Sequence, residues 1–139
     1  MLRTKLTHPA ILHALGRLGH GSQVLIADGN YPFTTHSNPR AEHVFLNLRS
    51  GLVNATEVLE VLVTAIPIEA ARVMRPNDGS EPPIFGEFRN LLPALQLQPV
   101  ERFAFYDLAR DGDVGLVIAT GEARVYAYIL LTIGVVPPT

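Results

Sequence analysis

Two short apolar runs, Val24–Ala27 and Val114–Ala119, constrain this chain more than any other feature. A strand that is apolar on both sides must be covered on both faces, as the central strands of parallel sheets are. The first run ends in Asp28, followed by the turn-forming Gly29-Asn30-Tyr31-Pro32; the second ends in Thr120-Gly121-Glu122. Segments of helical period lie around them. Ile11, Leu12, Leu15 and Leu18 recur at helical spacing behind Thr7-His8-Pro9, with Thr7 as the expected N-cap and Gly19 and Gly21 as the stop. Asn54 to Glu57 has capping-box spacing ahead of Val58, Leu59, Val61, Leu62 and Ile66, and Pro67 closes that helix. Further strands are expected over Val44–Leu48 and Ile68–Met74, and another from Val125, where apolar residues alternate. Residues 84 to 97 read as a helix despite Pro93, with Phe85, Phe88, Leu92 and Leu95 on one side. Glu101 to Arg110 fits a short helix or a strand followed by a helix. Strands interleaved with helices predict an α/β fold, a three-layer domain with a mainly parallel central sheet.

The 139 residues suit a single domain spanning 1–139. Apolar residues make up 47% and charged residues only 17%, against about 25% charged in an average soluble domain. So small a domain has much surface to cover, so part of the apolar excess is expected to be buried against other copies, in a homo-oligomer. A net charge of −2 with mixed signs argues against nucleic-acid binding. The absence of cysteine excludes disulfides, thiol catalysis and cysteine-ligated metals. No apolar run approaches the roughly 18 residues that cross a bilayer, and Met1-Leu2-Arg3-Thr4-Lys5 does not read as a signal peptide. A cytoplasmic protein is expected, with no membrane partner.

Gly16, Gly19 and Gly21 follow a helix and precede a strand, the reverse of a dinucleotide fingerprint, and no phosphate-loop lysine follows. Among His8, His13, His20, His36 and His43 no pair has zinc-helix spacing. No metal and no cofactor is therefore expected. His20 stands between Gly19 and Gly21 at a helix-to-strand turn, and Asp28 follows at the far end of the next strand. Histidine gives and takes protons near neutrality, and sites in open α/β sheets gather at strand carboxyl ends. Each candidate also has a plain structural reading. His20 can be a turn residue bonded to backbone, and Asp28 an Asx-turn former. Tyr126 and Tyr128 can be ordinary strand residues, and Arg102 a surface charge.

Three stretches together resemble the D-ribose pyranase / L-fucose mutarotase family. They are Leu18-Gly19-His20-Gly21 with Asp28-Gly29-Asn30-Tyr31-Pro32; Arg102-Phe103-Ala104-Phe105-Tyr106; and Thr120-Gly121-Glu122, then Tyr126, Ile129-Leu130-Leu131 and Gly134-Val135. Their order and spacing match over essentially the whole chain, and the second stretch is more similar to the fucose branch. Two positions depart from the family pattern: Asn30 stands where the fucose branch has histidine, and Tyr128 where the family has asparagine.

The resemblance implies a cofactor-independent isomerase that interconverts anomers or ring forms of a free aldose, fucose- or ribose-like. It works by general acid–base ring opening and closure. The resemblance makes His20 the main acid/base. It makes Asp28 a hydroxyl ligand or a partner that tunes the histidine, and Tyr126 a second proton carrier or sugar ligand. Arg102, Tyr128 and Asn30 become substrate-binding residues. It also implies a homodecamer of two pentameric rings, with sites at subunit boundaries. The rival readings are a non-catalytic monosaccharide-binding accessory of a sugar transport or catabolic operon, and a structural oligomer whose site has decayed.

Overall fold

The computed structural model describes all 139 residues. Ten elements follow in chain order: α1 (Pro9–Arg17), β1 (Gln23–Ala27), β2 (Glu42–Phe45), α2 (Ala55–Leu62), β3 (Ile68–Met74), α3 (Ile84–Leu91), β4 (Leu97–Val100), α4 (Arg102–Ala109), β5 (Val114–Ala119) and β6 (Ile129–Ile133). The strands form one sheet in the order β2-β5-β1-β6-β3-β4. Five run in one direction, and β6 runs against both of its neighbours, β1 and β3. The expected three-layer, mainly parallel architecture is present.

Alternation along each strand divides the core. Val24 and Ile26 of β1, Leu116 and Ile118 of β5 and Ile129 and Leu131 of β6 face α1, α2 and α3. Leu25, Ala27, Val117 and Leu130 face the other way, onto Phe105 and Ala109 of α4. Val24, Leu25, Ile26 and Ala27 are all 0% exposed, which is why the sequence shows an unbroken apolar run there. Burying each such Val, Leu or Ile contributes about 1.5–3 kcal/mol.

Four local expectations change. The N-cap of α1 is His8, whose Nδ1 accepts from the N–H groups of Ala10 and Ile11, so Thr7 lies outside the helix. Strand β2 ends at Phe45 instead of running to Leu48. Helix α3 stops at Leu91, because Pro93 disfavours helical backbone at Leu92, which adopts φ −126° and ψ 59°. Leu97–Val100 then pairs with β3 as a strand instead of prolonging a helix. Strand β6 begins at Ile129, four residues later than the alternation suggested. Residues 102–109 settle as helix, with the Glu101 carboxylate accepting from the N–H groups of Phe103 and Ala104 as the cap. The capping role of Glu57 holds: its carboxylate accepts from the Asn54 N–H at 2.8 Å. No helix is long and apolar enough to cross a membrane.

Candidate active site

The parallel strands share one carboxyl edge. Ala27 of β1 and Phe45 of β2 are both in register with Ala119 of β5, and the antiparallel β6 enters the sheet from that same edge. Three chain segments converge there: Asp28–Pro32 after β1, Arg102 to Tyr106 after β4, and the segment between β5 and β6. This is the crevice beyond the strand ends where open α/β sheets place their ligands. It holds a cavity of about 310 Å³ lined by Asp28, Asn30, Tyr31, Arg102, Tyr106, Tyr126 and Tyr128, with Pro32 and Val125 at its margin. That size is at the small end of small-molecule sites, roughly 300–1,000 Å³.

Asp28 is 1% exposed. Its Oδ1 accepts from the Asn30 N–H at 3.0 Å, which is the Asx turn, and its Oδ2 accepts from the Ala127 N–H at 3.1 Å. Asp28 therefore forms the expected Asx turn and also lines the cavity. Burial pushes its pKa above the ordinary value, against the pull of these backbone N–H groups. The bond to Ala127 also explains the late start of β6, since the Ala127 N–H is taken by a carboxylate and not by a neighbouring strand. Just before it, Tyr126 has φ 57°, the left-handed region that L-residues occupy only where their surroundings hold them there.

The cavity walls are aromatic. The Tyr31 ring lies 5.1 Å from Tyr128 and 5.8 Å from Tyr106, and Tyr126 lies 6.3 Å from Tyr128. Tyr126 and Tyr128 do share the pocket, although not through strand alternation, because neither is in a strand. The Tyr128 hydroxyl donates to the Met74 sulfur at 2.8 Å, so the residue shows the site its ring and keeps its polar end in the core. Burial raises the pKa values of both Tyr31 and Tyr128. Both phenols are therefore held neutral. Arg102 stands in the first turn of α4 against the Tyr126 hydroxyl, and that contact, with Tyr106 nearby, pushes its guanidinium pKa further up.

His20 is not in this cavity. It precedes β1, where the Gly21 N–H donates to the Ile133 carbonyl at the far end of β6. The expectation that His20 and Asp28 share one edge of the sheet is therefore corrected. All of β1 separates them, five residues or about 17 Å of extended chain. His20 is exposed, and its Nε2 lies 3.1 Å from both carboxylate oxygens of Glu69. Gly21 has φ 85°, a conformation that fits glycine and turns the chain into β1.

Of the six expected site residues, Asp28, Asn30, Arg102, Tyr126 and Tyr128 are brought together, and His20 is not. Tyr31 and Tyr106 were not singled out. Arg102 and Tyr106 are four apart and lie on one face of α4, a signal visible only once that segment is known to be helical.

A second groove of about 310 Å³ lies between the N-terminal segment, α1 and α2, lined by Leu6, Ile11, Val58 and Leu62. Its ionisable side chains are already engaged, His8 and Glu57 as helix caps and Lys5 with Glu60. No three His, Asp or Glu side chains are grouped to hold a metal ion.

A family model described as the RbsD / FucU transport protein family matches residues 1–136. The fucose mutarotase of Danio rerio is 34% identical over 143 aligned positions, covering 94% of this chain and 90% of that protein. The D-ribose pyranase of Streptomyces avermitilis is 34% identical, covering 88% of each. Among solved structures, Bacillus subtilis RbsD complexed with D-ribose superposes with a TM-score of 0.86 at 23% identity, over 99% of this chain and 100% of that one, a likeness of fold. The Streptococcus pneumoniae fucose mutarotase in complex with L-fucose gives a TM-score of 0.83 at 26% identity, with the same coverage. Matched by the family model over nearly its whole length, and above 30% identical to curated members of both branches, this chain belongs to the RbsD / FucU family of D-ribose pyranases and L-fucose mutarotases.

Proposed function

We propose that this chain is a sugar mutarotase or pyranase, interconverting anomers or ring forms of a free fucose- or ribose-like aldose. The observation that carries the reading is the convergence of Asp28, Arg102 and Tyr126 on one small cavity with aromatic walls. Ring opening takes a proton from the anomeric hydroxyl and gives one to the ring oxygen; closure on the other face, or through another hydroxyl, reverses both transfers. Tyr126 carries one of these protons. Arg102 binds a hydroxyl and stabilises negative charge that develops on the phenol. Asp28, held by two N–H groups, accepts from a sugar hydroxyl. Asn30 offers an amide that both gives and accepts hydrogen bonds. The Tyr31, Tyr106 and Tyr128 rings pack against the C–H face of the sugar. The substrate pool is free monosaccharide in the cytoplasm.

His20 supplies the second proton carrier in this reading, from a second copy of the chain. Within one chain it is at the wrong end of β1. In a head-to-tail arrangement the His20 end of one copy reaches the Asp28 end of the next, and such contacts form a ring when the rotation between copies closes. Phe45, Leu48, Phe103 and Val125 support this: they are 56–82% exposed around the site end, and a neighbour would cover them. A decamer of two pentameric rings is the assembly proposed.

Exchange NMR at equilibrium, over a panel of aldoses, tests the function directly. At least one fucose- or ribose-like sugar should show anomer or ring-form exchange well above its uncatalysed rate. Binding with no acceleration for any sugar would leave the non-catalytic accessory reading in its place.

A further inference from the structure

The segment between β5 and β6 is pinned to the loop after β1 at both of its ends. At one end the Gly29 N–H donates to the Glu122 carbonyl at 2.9 Å; at the other the Ala127 N–H donates to Asp28. Tyr126, with its left-handed backbone, lies between the pins.

The Glu122 side chain determines how this span is held. It is 2% exposed and fully engaged. Oε1 accepts from the N–H and Nε of Arg124, both at 3.0 Å. Oε2 accepts from Arg124 Nη2 at 3.0 Å and from the Ala55 N–H at the start of α2 at 3.2 Å. Arg124 reaches on to Glu87 of α3 through Nη1. Two helices and a strand end are thus tied together two residues before Tyr126, and Glu122 itself stays outside the cavity that Tyr126 lines.

We infer that Glu122 is a positioning residue for Tyr126: with Arg124 and Glu87 it fixes the left-handed turn that aims the Tyr126 phenol at the sugar. The inference rests on the role given to Tyr126 above. A planar guanidinium bound side-on by one carboxylate and end-on by another admits few orientations. The backbone between Arg124 and Ala127 therefore has little freedom left. Small displacements of a proton carrier are expensive in rate, with misplacement by about 1 Å costing on the order of a hundredfold.

The test uses Glu122→Gln and Arg124→Gln, each alone and combined with Tyr126→Phe, in protein carrying tyrosine labelled with ¹³C at the ring carbon bearing the hydroxyl. The chain has four tyrosines, and Tyr126→Phe identifies the Tyr126 signal by its loss. The expected result is a shift of the Tyr126 resonance with that of Tyr31 unmoved. The exchange kcat should fall about ten- to a hundredfold, with KM within about threefold of wild type. Neither variant should add a loss in the Tyr126→Phe background. Arg124→Gln leaves the Glu122 bond to Ala55 in place, so it answers the question if Glu122→Gln does not fold. An unmoved Tyr126 resonance in a folded variant overturns the inference, as does an equal rate loss in both backgrounds. If Tyr126→Phe alone retains the wild-type rate, it is the proton-carrying role of Tyr126 that falls, and the resonance alone decides the role of Glu122.

Discussion

Tyr128 puts a ring in the wall of a sugar-sized cavity, and its hydroxyl is turned into the core against Met74. A group pointing away from the ligand cannot set specificity; its bulk can. Tyr128→Phe should therefore leave the sugar profile unchanged and cost about 0.5–1.5 kcal/mol for the lost bond. Tyr128→Asn should widen the range of accepted sugars while removing contacts with Tyr31 and Phe105, at a cost of about 3 kcal/mol. Exchange rates over the sugar panel, together with urea unfolding, separate the two; a changed profile in the phenylalanine variant would show the hydroxyl reaching the sugar. The two buried carboxylates at this edge respond to pH in opposite directions. Burial raises the Asp28 pKa above 3.8, so its protonated form is favoured in the folded state. That contribution is complete below the unfolded value and is lost as pH rises through the folded one. For Glu122 burial also acts to raise the pKa, but the Arg124 guanidinium, the Arg124 N–H and the Ala55 N–H outweigh it and hold the group below 4.5. Its contribution is present above that value and is lost as pH falls through the folded one. Urea unfolding between about pH 4 and about pH 7 should show the stability deficit of Asp28→Asn shrinking as pH rises and that of Glu122→Gln growing or holding level.

Among the elements, α4 links the site to the core. Its first turn presents Arg102 and its inner face buries Phe105, which touches both Tyr31 and Tyr128. Glu101→Ala removes the cap and should lower the melting temperature. It should also raise KM more than it lowers kcat, because the turn that frays carries a binding residue. Phe105→Ala should cost about 3–5 kcal/mol. Thermal melts and steady-state exchange kinetics check both.

The elements also show which parts of the fold could be read in advance. Strands β1, β3 and β5 were legible because each is continuously apolar or ends at a proline or turn, so burial left its pattern in the residues themselves. Residues 84–97 misled because the apolar spacing continues past Pro93, and backbone sterics overrule periodicity there. Val125–Tyr128 misled because its alternation is genuine but its backbone partner is a side chain, Asp28, distant in sequence. Five residues of the candidate cavity were legible through a resemblance of motifs. The aromatic wall was not, since Tyr31 and Tyr106 meet only after β1 and α4 have packed. The Thr120-Gly121-Glu122 motif is plain in the sequence, but its reason lies in the packing. A Cβ on Gly121 would come within 1.7 Å of the Leu52 carbonyl oxygen, and Glu122 bonds to the start of α2.

For the whole molecule, the decisive fact is the separation of His20 from Asp28 along β1. If the site is completed between copies, His20→Ala and Asp28→Asn should each be inactive alone and active together. Mixed and reassembled in equal amounts, they form some junctions where an intact histidine meets an intact aspartate, restoring roughly a quarter of the wild-type rate in a head-to-tail ring. Exchange NMR on the mixture is the measurement, and a mixture as silent as its components would place both residues of a working site in one chain. The rigidity of β1 carries a further consequence for kinetics. A strand cannot fold back to bring its two ends together, so in this arrangement a solitary chain is silent however well it is folded. Turnover then becomes a property of encounters. Below the dissociation constant of the assembly, activity should climb more steeply than in proportion to protein concentration, and a diluted sample should lose rate at a pace set by subunit departure while its far-UV circular dichroism stays unchanged.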